Sequence, residues 1–410
     1  MITKSEIIAD AKRTGLSPQV IEKDYVLGWA LAGIFNHPAL KNQWVFKGGT
    51  CLKKGYFETY RFSEDLDFTI MDPKHIDATF LTNVFKEISA WVYQQSGIQF
   101  PEHKIEFEVY PNKAGKTSCQ GKLCYLGPLA PTSPKQWPKI KLDLTADEVL
   151  ADKPNIISIN HPYSDLPKEG IHILSYSYPE VFAEKTRALS ERTRPRDLYD
   201  VINLFRLPHP TKEHSLVSKL LAQKCAFKNA KIPVFHDLEK HYQACKAGWQ
   251  DQLSHQILVL APFDSYWNEL PQFFDWLESG KKETLAHISK INTPIAFDEA
   301  TEKMLAQYST MDTIRFAAAS RLCLQIRYQK EDGTIQNYLA EPYSLRVTQE
   351  KVLLFYALKR YERQIRAFRM DRILTATVST EPFRPVYEVE IFPKGTVSIK
   401  PLAQNHYRRF

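Results

Sequence analysis

Two short runs of residues carry the side-chain types that chemistry on phosphates requires. The first is Gly48-Gly49-Thr50, and the second contains Asp65 and Asp67. If residues 62–70 form a strand, the two aspartates share a face, because side chains alternate with a period of two. Close carboxylates repel unless a cation lies between them, and oxygen ligands favour Mg²⁺ or Mn²⁺ over zinc. The glycines allow a phosphate to approach the backbone N–H groups, especially if Thr50 opens a helix.

Residues 139–144 supply a candidate third carboxylate. Polar and apolar residues alternate there, which places Asp143 on one face with two lysines. A neighbouring strand would bring Asp143 to the site of Asp65 and Asp67, and three carboxylates suit two Mg²⁺ ions and a nucleoside triphosphate. The sequence does not fix the register, so an edge strand with a solvated polar face also fits the pattern.

Two helices further along the chain carry charged residues of the same chemical interest. The first begins near Tyr178 and contains Lys185, and the second is opened by Pro195. A lysine suits the negative charge that develops in phosphoryl transfer. Salt bridges at helical spacing explain these residues equally well, since Arg196 and Asp200 lie four positions apart.

The glycine pair together with Arg61-Phe62-Ser63-Glu64-Asp65-Leu66-Asp67 resembles the signature of the nucleotidyltransferase superfamily with the DNA polymerase beta-like fold. In detail it resembles the AbiEii/AbiGii toxin branch, found in type IV toxin–antitoxin and phage-abortive-infection systems. Lys185 and the run from Arg196 to Asp200 are similar to later motifs of that branch. By this resemblance the metal ligands are Asp65, Asp67 and Asp143, the nucleotide-binding residues are Gly48, Gly49, Thr50, Ser63, Lys185 and Arg196, and the site is supported by Asp197 or, alternatively, Asp200.

The C-terminal region resembles a different family. From Ile314 the pattern becomes strand-rich, with a hairpin turn at Glu331-Asp332-Gly333 and a closing run from Phe368 to Ile373. This order resembles a WYL domain, a small Sm/SH3-like β-barrel that senses ligands, although the Trp-Tyr-Leu triplet itself is absent. We expect Arg369 and Arg372 to contact an anionic ligand, a nucleotide or single-stranded nucleic acid. Local salt bridges, with Glu362 or Asp371, are the competing explanation.

Composition agrees with a multidomain protein of 410 residues, 43% of them hydrophobic and 25% charged. We expect an α/β (α+β) nucleotidyltransferase domain at 1–210, a helical region at 211–300 and a WYL-like domain at 301–410. The six cysteines lack regular spacing, and neither a secretory signal nor a membrane span is visible, which predicts a cytoplasmic protein. A net charge of +7 permits a polyanionic partner.

The resemblance implies a metal-dependent toxin that transfers NMP from an NTP to a hydroxyl. RNA, at the 3′ end of tRNA, is the expected acceptor, and a cognate antitoxin is the expected protein partner. Two alternatives stay open: nucleotidylation of a protein, and a regulatory WYL protein with a vestigial transferase site.

Overall fold

The structure is a computed structural model that describes residues 1–57, 61–112, 115–131, 133–206, 211–283, 285–286, 293–294, 307 and 310–391. Within these ranges the chain forms a seven-stranded sheet near the N-terminus and a six-stranded sheet near the C-terminus. Each sheet has a hydrophobic cluster of its own. The predicted mixed α/β fold class is therefore confirmed.

The first sheet has the spatial order β3-β4-β5-β2-β1-β7-β6. Its strands are β1 (Trp44–Lys47), β2 (Asp65–Ile70), β3 (Ile105–Pro111), β4 (Thr117–Cys124), β5 (Lys139–Thr145), β6 (Asn155–Ser158) and β7 (His172–Ser175). The β2–β5 and β1–β7 pairs are parallel and the others are antiparallel. This order places the strand of Asp65 and Asp67 in the middle of the sheet, beside the strand of Asp143.

Six helices accompany this sheet: α1 (Lys4–Thr14), α2 (Pro18–Asn36), α3 (Gly48–Cys51), α4 (Ala78–Ser96), α5 (Tyr178–Arg192) and α6 (Pro195–Arg206). Ser17 caps α2 by accepting from the N–H of Val20, and Pro18 occupies the first turn. A π-helical turn, Leu52–Tyr56, continues α3. The helix begins at Gly48, so Thr50 lies within it.

The middle of the chain forms short helices that pack on the same core. They are α7 (Thr211–Phe227), α8 (Phe235–Glu239), α9 (Tyr242–Ala247), α10 (Trp249–Leu253), α11 (Asp264–Trp267) and α12 (Leu270–Ser279). Buried aromatic residues such as Trp249, Phe273 and Trp276 belong to the hydrophobic cluster of the first sheet. The predicted boundaries near 210 and 300 fall on residues outside the described ranges and stay predictions.

The second sheet has the order β12-β11-β10-β9-β13, and β8 pairs with β10. Its elements are α13 (Met311–Ser320), β8 (Thr293–Pro294), β9 (Leu322–Gln329), β10 (Ile335–Val347), β11 (Leu353–Lys359), β12 (Ile365–Arg369) and β13 (Ile373–Pro382). Strand β10 is continuous through a register shift between Pro342 and Ser344. In the described part of the chain β12 and β13 do not pair, so the sheet is open where a closed barrel was expected.

No helix in the described ranges combines the length and the apolar character that crossing a membrane requires.

Candidate active site

One row of side chains crosses four neighbouring strands of the first sheet. Lys47 on β1 is the register partner of Asp67 on β2, which is the partner of Asp143 on β5, which in turn is the partner of Gln120 on β4. Register partners on adjacent strands point to the same face, about 4.8 Å apart. The predicted neighbour relation between Asp143 and the Asp65–Asp67 pair is therefore confirmed, and the register is now defined.

The carboxylates of this row are held in an unfavourable electrostatic state. Burial and the charge of Asp143 raise the pKa of Asp67 to about 6. Burial raises the pKa of Asp65 as well, against the charges of Lys23 and Lys141. Gln120 donates to Oδ1 of Asp143 at 3.3 Å, which orients that carboxylate. Buried carboxyl groups that share one face repel each other, and a cation between them would relieve that repulsion.

The glycine turn packs directly against this row. Gly48 has φ of +80°, and a Cβ at that position would lie 2.1 Å from Oδ2 of Asp67. A Cβ at Gly49 would lie 2.8 Å from Nη2 of Arg61 and 3.0 Å from Oγ of Ser63. Both positions thus exclude a side chain, and Gly48 also requires a left-handed backbone.

Thr50 connects the turn to the aspartate strand. Its side chain is buried, and its hydroxyl donates to the backbone oxygen of Asp65 at 2.5 Å. This bond fixes the spacing between the glycine turn and β2. The described contact gives Thr50 a positioning role, while its predicted contact with the nucleotide stays a prediction.

Asp200, on α6, is the buried centre of a second charged group. Arg61 donates to both of its carboxylate oxygens through Nε and Nη2, at 2.7 and 2.8 Å, and Nζ of Lys185 lies 2.7 Å away. Burial alone would raise the pKa of Asp200, but Arg61 and Lys185 hold it well below its ordinary value. Asp200 therefore places two cations beside the glycine turn and the aspartate row.

The two other predicted residues of α6 lie differently. Asp197 is paired with Arg192 through two hydrogen bonds of 2.6 and 2.8 Å. Arg196 is half-buried, and its Nε donates to the backbone oxygen of Gln252 at 3.3 Å. Burial and the charge of Arg61 lower the pKa of Arg196, while Asp65 acts in the opposite sense. Of the two aspartates proposed to support the site, Asp200 is the one that the structure brings to Lys185.

Lys47 is a site residue that the sequence analysis did not single out. It is buried, its Nζ lies 3.6 Å from Oε1 of Glu184, and it is the register partner of Asp67. Burial alone would lower the pKa of Lys47, but Glu184, Glu148 and Asp67 hold it above its ordinary value. Its position directly before Gly48 was the available signal. Arg61 carried a similar signal, because it opens the run that contains Ser63, Asp65 and Asp67.

In the C-terminal sheet, the two predicted ligand-binding arginines are engaged in local ion pairs. Arg369 binds Asp371 at 2.7 Å, and Arg372 binds Glu331 at 3.0 Å. The competing explanation from the sequence thus matches the contact of Arg369, while Arg372 has a partner that was not foreseen. Contact of either residue with an anionic ligand stays a prediction.

Comparison with known families agrees with this geometry. The profile of the nucleotidyl transferase AbiEii toxin family, type IV TA system, matches residues 29–278. The chain belongs to the AbiEii nucleotidyltransferase toxin family. A WYL domain profile matches residues 309–378. The protein is therefore an AbiEii-type nucleotidyltransferase with a C-terminal WYL domain, and membership in a type IV toxin–antitoxin family implies an NTP substrate and an antitoxin partner.

Two solved structures resemble parts of this AbiEii protein. MenT4, a nucleotidyltransferase toxin from Mycobacterium tuberculosis H37Rv, is 19% identical with a TM-score of 0.44, over 68% of this chain and 90% of MenT4. Proteasome accessory factor B/C of Arthrobacter aurescens is 11% identical with a TM-score of 0.18, over 90% of this chain and 74% of that one. No curated protein matches the sequence significantly.

Proposed function

We propose that this AbiEii protein transfers NMP from an NTP to a hydroxyl of RNA in a metal-dependent reaction. The observation that carries the proposal is the row in which Asp67 lies between Asp143 and Lys47, directly against the Gly48 turn. The row combines carboxylates for a divalent cation with a turn and lysines for phosphates. This is the set of groups that nucleotidyl transfer requires.

The carboxylates fit Mg²⁺ or Mn²⁺. Mg²⁺ takes one or two protein carboxylates and completes its shell with water and substrate phosphates. Asp65 and Asp67 would hold it, with Asp143 beside them, because a cation would offset the burial and the charge of Asp143 that raise the pKa of Asp67. Among the described residues no three His, Cys, Asp or Glu side chains converge into a ready cage, so substrate oxygens would complete the shell. Bound metal would neutralise the charge that develops on the phosphates.

The remaining groups of the site would hold the triphosphate. Gly48 and Gly49 present backbone N–H groups of a first helical turn, which have no partner within the helix. Lys185, which Asp200 positions, and Arg196 supply positive charge, with Ser63 at the edge of the turn. In the reaction the acceptor hydroxyl loses its proton to solvent and its oxygen forms a bond to the α-phosphorus. The bond from that phosphorus to the bridging oxygen breaks, and pyrophosphate leaves with the electron pair.

Three lysines favour a polyanionic acceptor. Lys139 and Lys141 are exposed on the same face of β5 as Asp143, and Lys122 on β4 is the register partner of Lys141. Lys141 is in turn the partner of Asp65 on β2. The face that holds the carboxylates therefore continues into a basic surface. Phosphates of an RNA strand would be neutralised there, which supports RNA over a protein acceptor.

The decisive experiment incubates the full-length protein with each α-labelled NTP, Mg²⁺, and either total RNA or a protein lysate. We expect label in RNA, and none with the Asp65→Asn, Asp67→Asn variant. Label in protein alone would replace the RNA acceptor by the protein alternative. Absence of any transfer, with every NTP and with either Mg²⁺ or Mn²⁺, would favour a regulatory WYL protein with a vestigial site.

The lysine surface has a separate test. Lys139→Gln, Lys141→Gln should weaken RNA binding about tenfold and flatten its dependence on salt, since each phosphate contact contributes to the salt slope. The matched control is Lys168→Gln, an exposed lysine between β6 and β7. Equal RNA affinity in the double variant and the control would remove the support for RNA.

A further inference from the structure

The outer strands of the first sheet, β3 to β5, have one covered face and one open face. Phe107 on β3 packs against Phe85 of α4, with ring centroids 5.0 Å apart, so this helix covers one face. Side chains alternate along a strand, and the register places Asp143 on the other face. We call the exposed and half-buried residues beside Asp143 on that face the outer shelf: Glu106, Glu108, Tyr110, Gln120, Lys122, Lys139 and Lys141.

The outer shelf is ordered in rows that cross the strands. Gln120 on β4 is the register partner of Asp143 on β5. Lys122 follows two positions later and is the partner of Lys141. On the opposite side of the Gln120 row, Tyr110 on β3 pairs with the residue two positions before Gln120. At about 3.4 Å per residue, the lysines and the tyrosine each lie about 7 Å from that row, in opposite directions.

The direction of the proposed reaction assigns the outer shelf to the acceptor. In phosphoryl transfer the attacking and the leaving oxygens lie roughly in line, on opposite sides of the phosphorus. The glycine turn follows β1 on one side of Asp67, and the shelf lies on the other side, beyond Asp143. A triphosphate held at the glycine turn therefore leaves the side of the shelf for the attacking hydroxyl.

Tyr110 is the aromatic residue of the outer shelf. It is 39% exposed, and within the described part of the chain its hydroxyl makes no hydrogen bond and its ring stacks on no other ring. Burial, and next the charge of Asp143, raise the pKa of Tyr110, while the charge of Glu108 on the same strand contributes less. The open ring of Tyr110 is thus close enough to the carboxylate row to contact a group bound there.

The charges of the outer shelf separate a path for phosphates from a place for a base. Lys122 and Lys141 lie on β4 and β5, whereas Glu106 and Glu108 lie further out, on β3. An RNA backbone would follow the lysines, because its phosphates are attracted to them and repelled by the glutamates. An uncharged base meets no such barrier at Tyr110, and bases stack readily on exposed aromatic rings.

We propose that the outer shelf binds the terminal nucleoside of the acceptor RNA, with its base stacked on Tyr110 and its hydroxyl directed to Asp143. The inference rests on the proposed transferase function and adds a residue that recognises the acceptor. Stacking tolerates every base, so Tyr110 selects a nucleoside end and not a sequence. The side chain of a serine or threonine acceptor has no ring to stack, so a protein acceptor of that kind gains nothing from Tyr110.

The first test measures transfer by the full-length protein to total tRNA. Tyr110→Leu should raise the KM for tRNA about tenfold, as the loss of one base stacked on an aromatic ring predicts. Tyr110→Phe keeps the ring and should behave as wild type. The matched control is Tyr93→Leu, because Tyr93 is 53% exposed on α4, the helix that covers the opposite face of the sheet.

The second test examines binding in Mg²⁺ without NTP, so that it does not depend on transfer. A short single-stranded RNA with an iodinated uridine at its 3′ end is irradiated with the full-length protein, since this base crosslinks to aromatic side chains on which it stacks. Mass spectrometry of the crosslinked peptides should locate the terminal base at Tyr110. The crosslink should disappear in Tyr110→Leu and persist in Tyr93→Leu.

The two tests separate failure of this inference from failure of the proposed function. Transfer to tRNA with an unchanged KM in Tyr110→Leu, or a terminal base that crosslinks only to other residues, would overturn the role of Tyr110 and leave the transferase function in place. An equal loss in Tyr110→Phe and Tyr110→Leu would overturn stacking, because the phenylalanine lacks only the hydroxyl. A crosslink at Tyr110 without any transfer would support the shelf and contradict the transferase function. Substitution at this exposed position should leave the fold intact, which thermal unfolding checks.

Discussion

The carboxylates of the first sheet and the arginines of the second sheet are both dense groups of charge, yet they are balanced in opposite ways. In the first sheet Asp67 and Asp143 are register partners on neighbouring strands, and the pKa of Asp67 is raised to about 6. In the second sheet Arg369 pairs with Asp371, and Arg372 pairs with Glu331. The first region concentrates like charge, and the second neutralises its charge internally.

This difference separates candidate ligand sites from structural ion pairs. Five arginines of the C-terminal region recur at every third position of the sequence: Arg360, Arg363, Arg366, Arg369 and Arg372. In the structure Arg360 and Arg363 both bind Glu341, and Arg366 lies over the rings of Tyr328 and Tyr338. Charges with such partners need no ligand, whereas like charges on one face store a repulsion that a ligand relieves.

The largest effect is expected from the carboxylates of the first sheet. Asp65→Asn with Asp67→Asn should lower the transfer rate by at least about a thousandfold, because metal-assisted charge stabilisation accounts for several kcal/mol of the barrier. The same substitution in the balanced region, Asp371→Asn, should leave transfer unchanged. Labelled-NTP incorporation under identical conditions measures both. Equal transfer rates in the two variants would show that the concentration of like charge in the first sheet does not identify the active site.

The second prediction concerns folding. Asp200→Asn leaves Arg61 and Lys185 beside a buried neutral group, and breaking a buried pair in this way costs about 3–5 kcal/mol of unfolding free energy. Glu331→Gln removes the partner of Arg372 at an exposed position and should cost less than about 1 kcal/mol. Urea denaturation of both variants tests the contrast. A small loss for Asp200→Asn would mean that this centre is not structural.

The charged centre at Asp200 separates the site features that the sequence predicts from those that depend on tertiary packing. Alternation placed Asp65 and Asp67 on one face, and the neighbouring position of Asp143 was expected, because both follow from local periodicity and strand pairing. Asp197 and Asp200 could not be separated, since residues three apart lie on the same side of a helix. Tertiary packing decides between them: it brings Asp200 to Arg61, 139 positions away, and leaves Asp197 with Arg192.

Other parts of the fold could not be predicted from the sequence for similar reasons. The continuous β10 strand contains Pro342, which normally argues against a strand interior, and the register shift beside it accommodates the residue. The partner of Lys47 depends on the β1–β2 register, which the sequence does not fix. The hydrogen bonds that Arg206 and Arg321 donate across the contact between α6 and α13 depend on how two domains meet, and no local pattern encodes them.

A third prediction uses pH to expose the repulsion in the carboxylate row. The folded pKa of Asp67, about 6, lies above its unfolded value near 3.8, so the folded state binds more protons between these values. Stability from this group is present below about pH 4 and is lost as pH rises through 6. Without metal, the unfolding free energy of Asp67→Asn relative to wild type should therefore rise by up to about 3 kcal/mol between pH 4 and pH 7.5. Added Mg²⁺ with NTP should make wild type the more stable of the two proteins at pH 7.5. A difference in stability that does not change with pH would contradict the raised pKa.

The smallest difference in stability is expected between two glycines with nearly the same φ. Gly48 has φ of +80° and Gly333, in the β9–β10 hairpin, has φ of +81°. An alanine that must adopt this positive φ lowers the unfolding free energy by about 1–2 kcal/mol at either position. At Gly333 the Cβ meets no described atom within 4 Å, whereas at Gly48 it would collide with Oδ2 of Asp67. Gly333→Ala should thus lower only the unfolding free energy, while Gly48→Ala should also abolish transfer and the pH-dependent stability that Asp67 confers. Normal transfer by Gly48→Ala would mean that the turn and the aspartate row act independently.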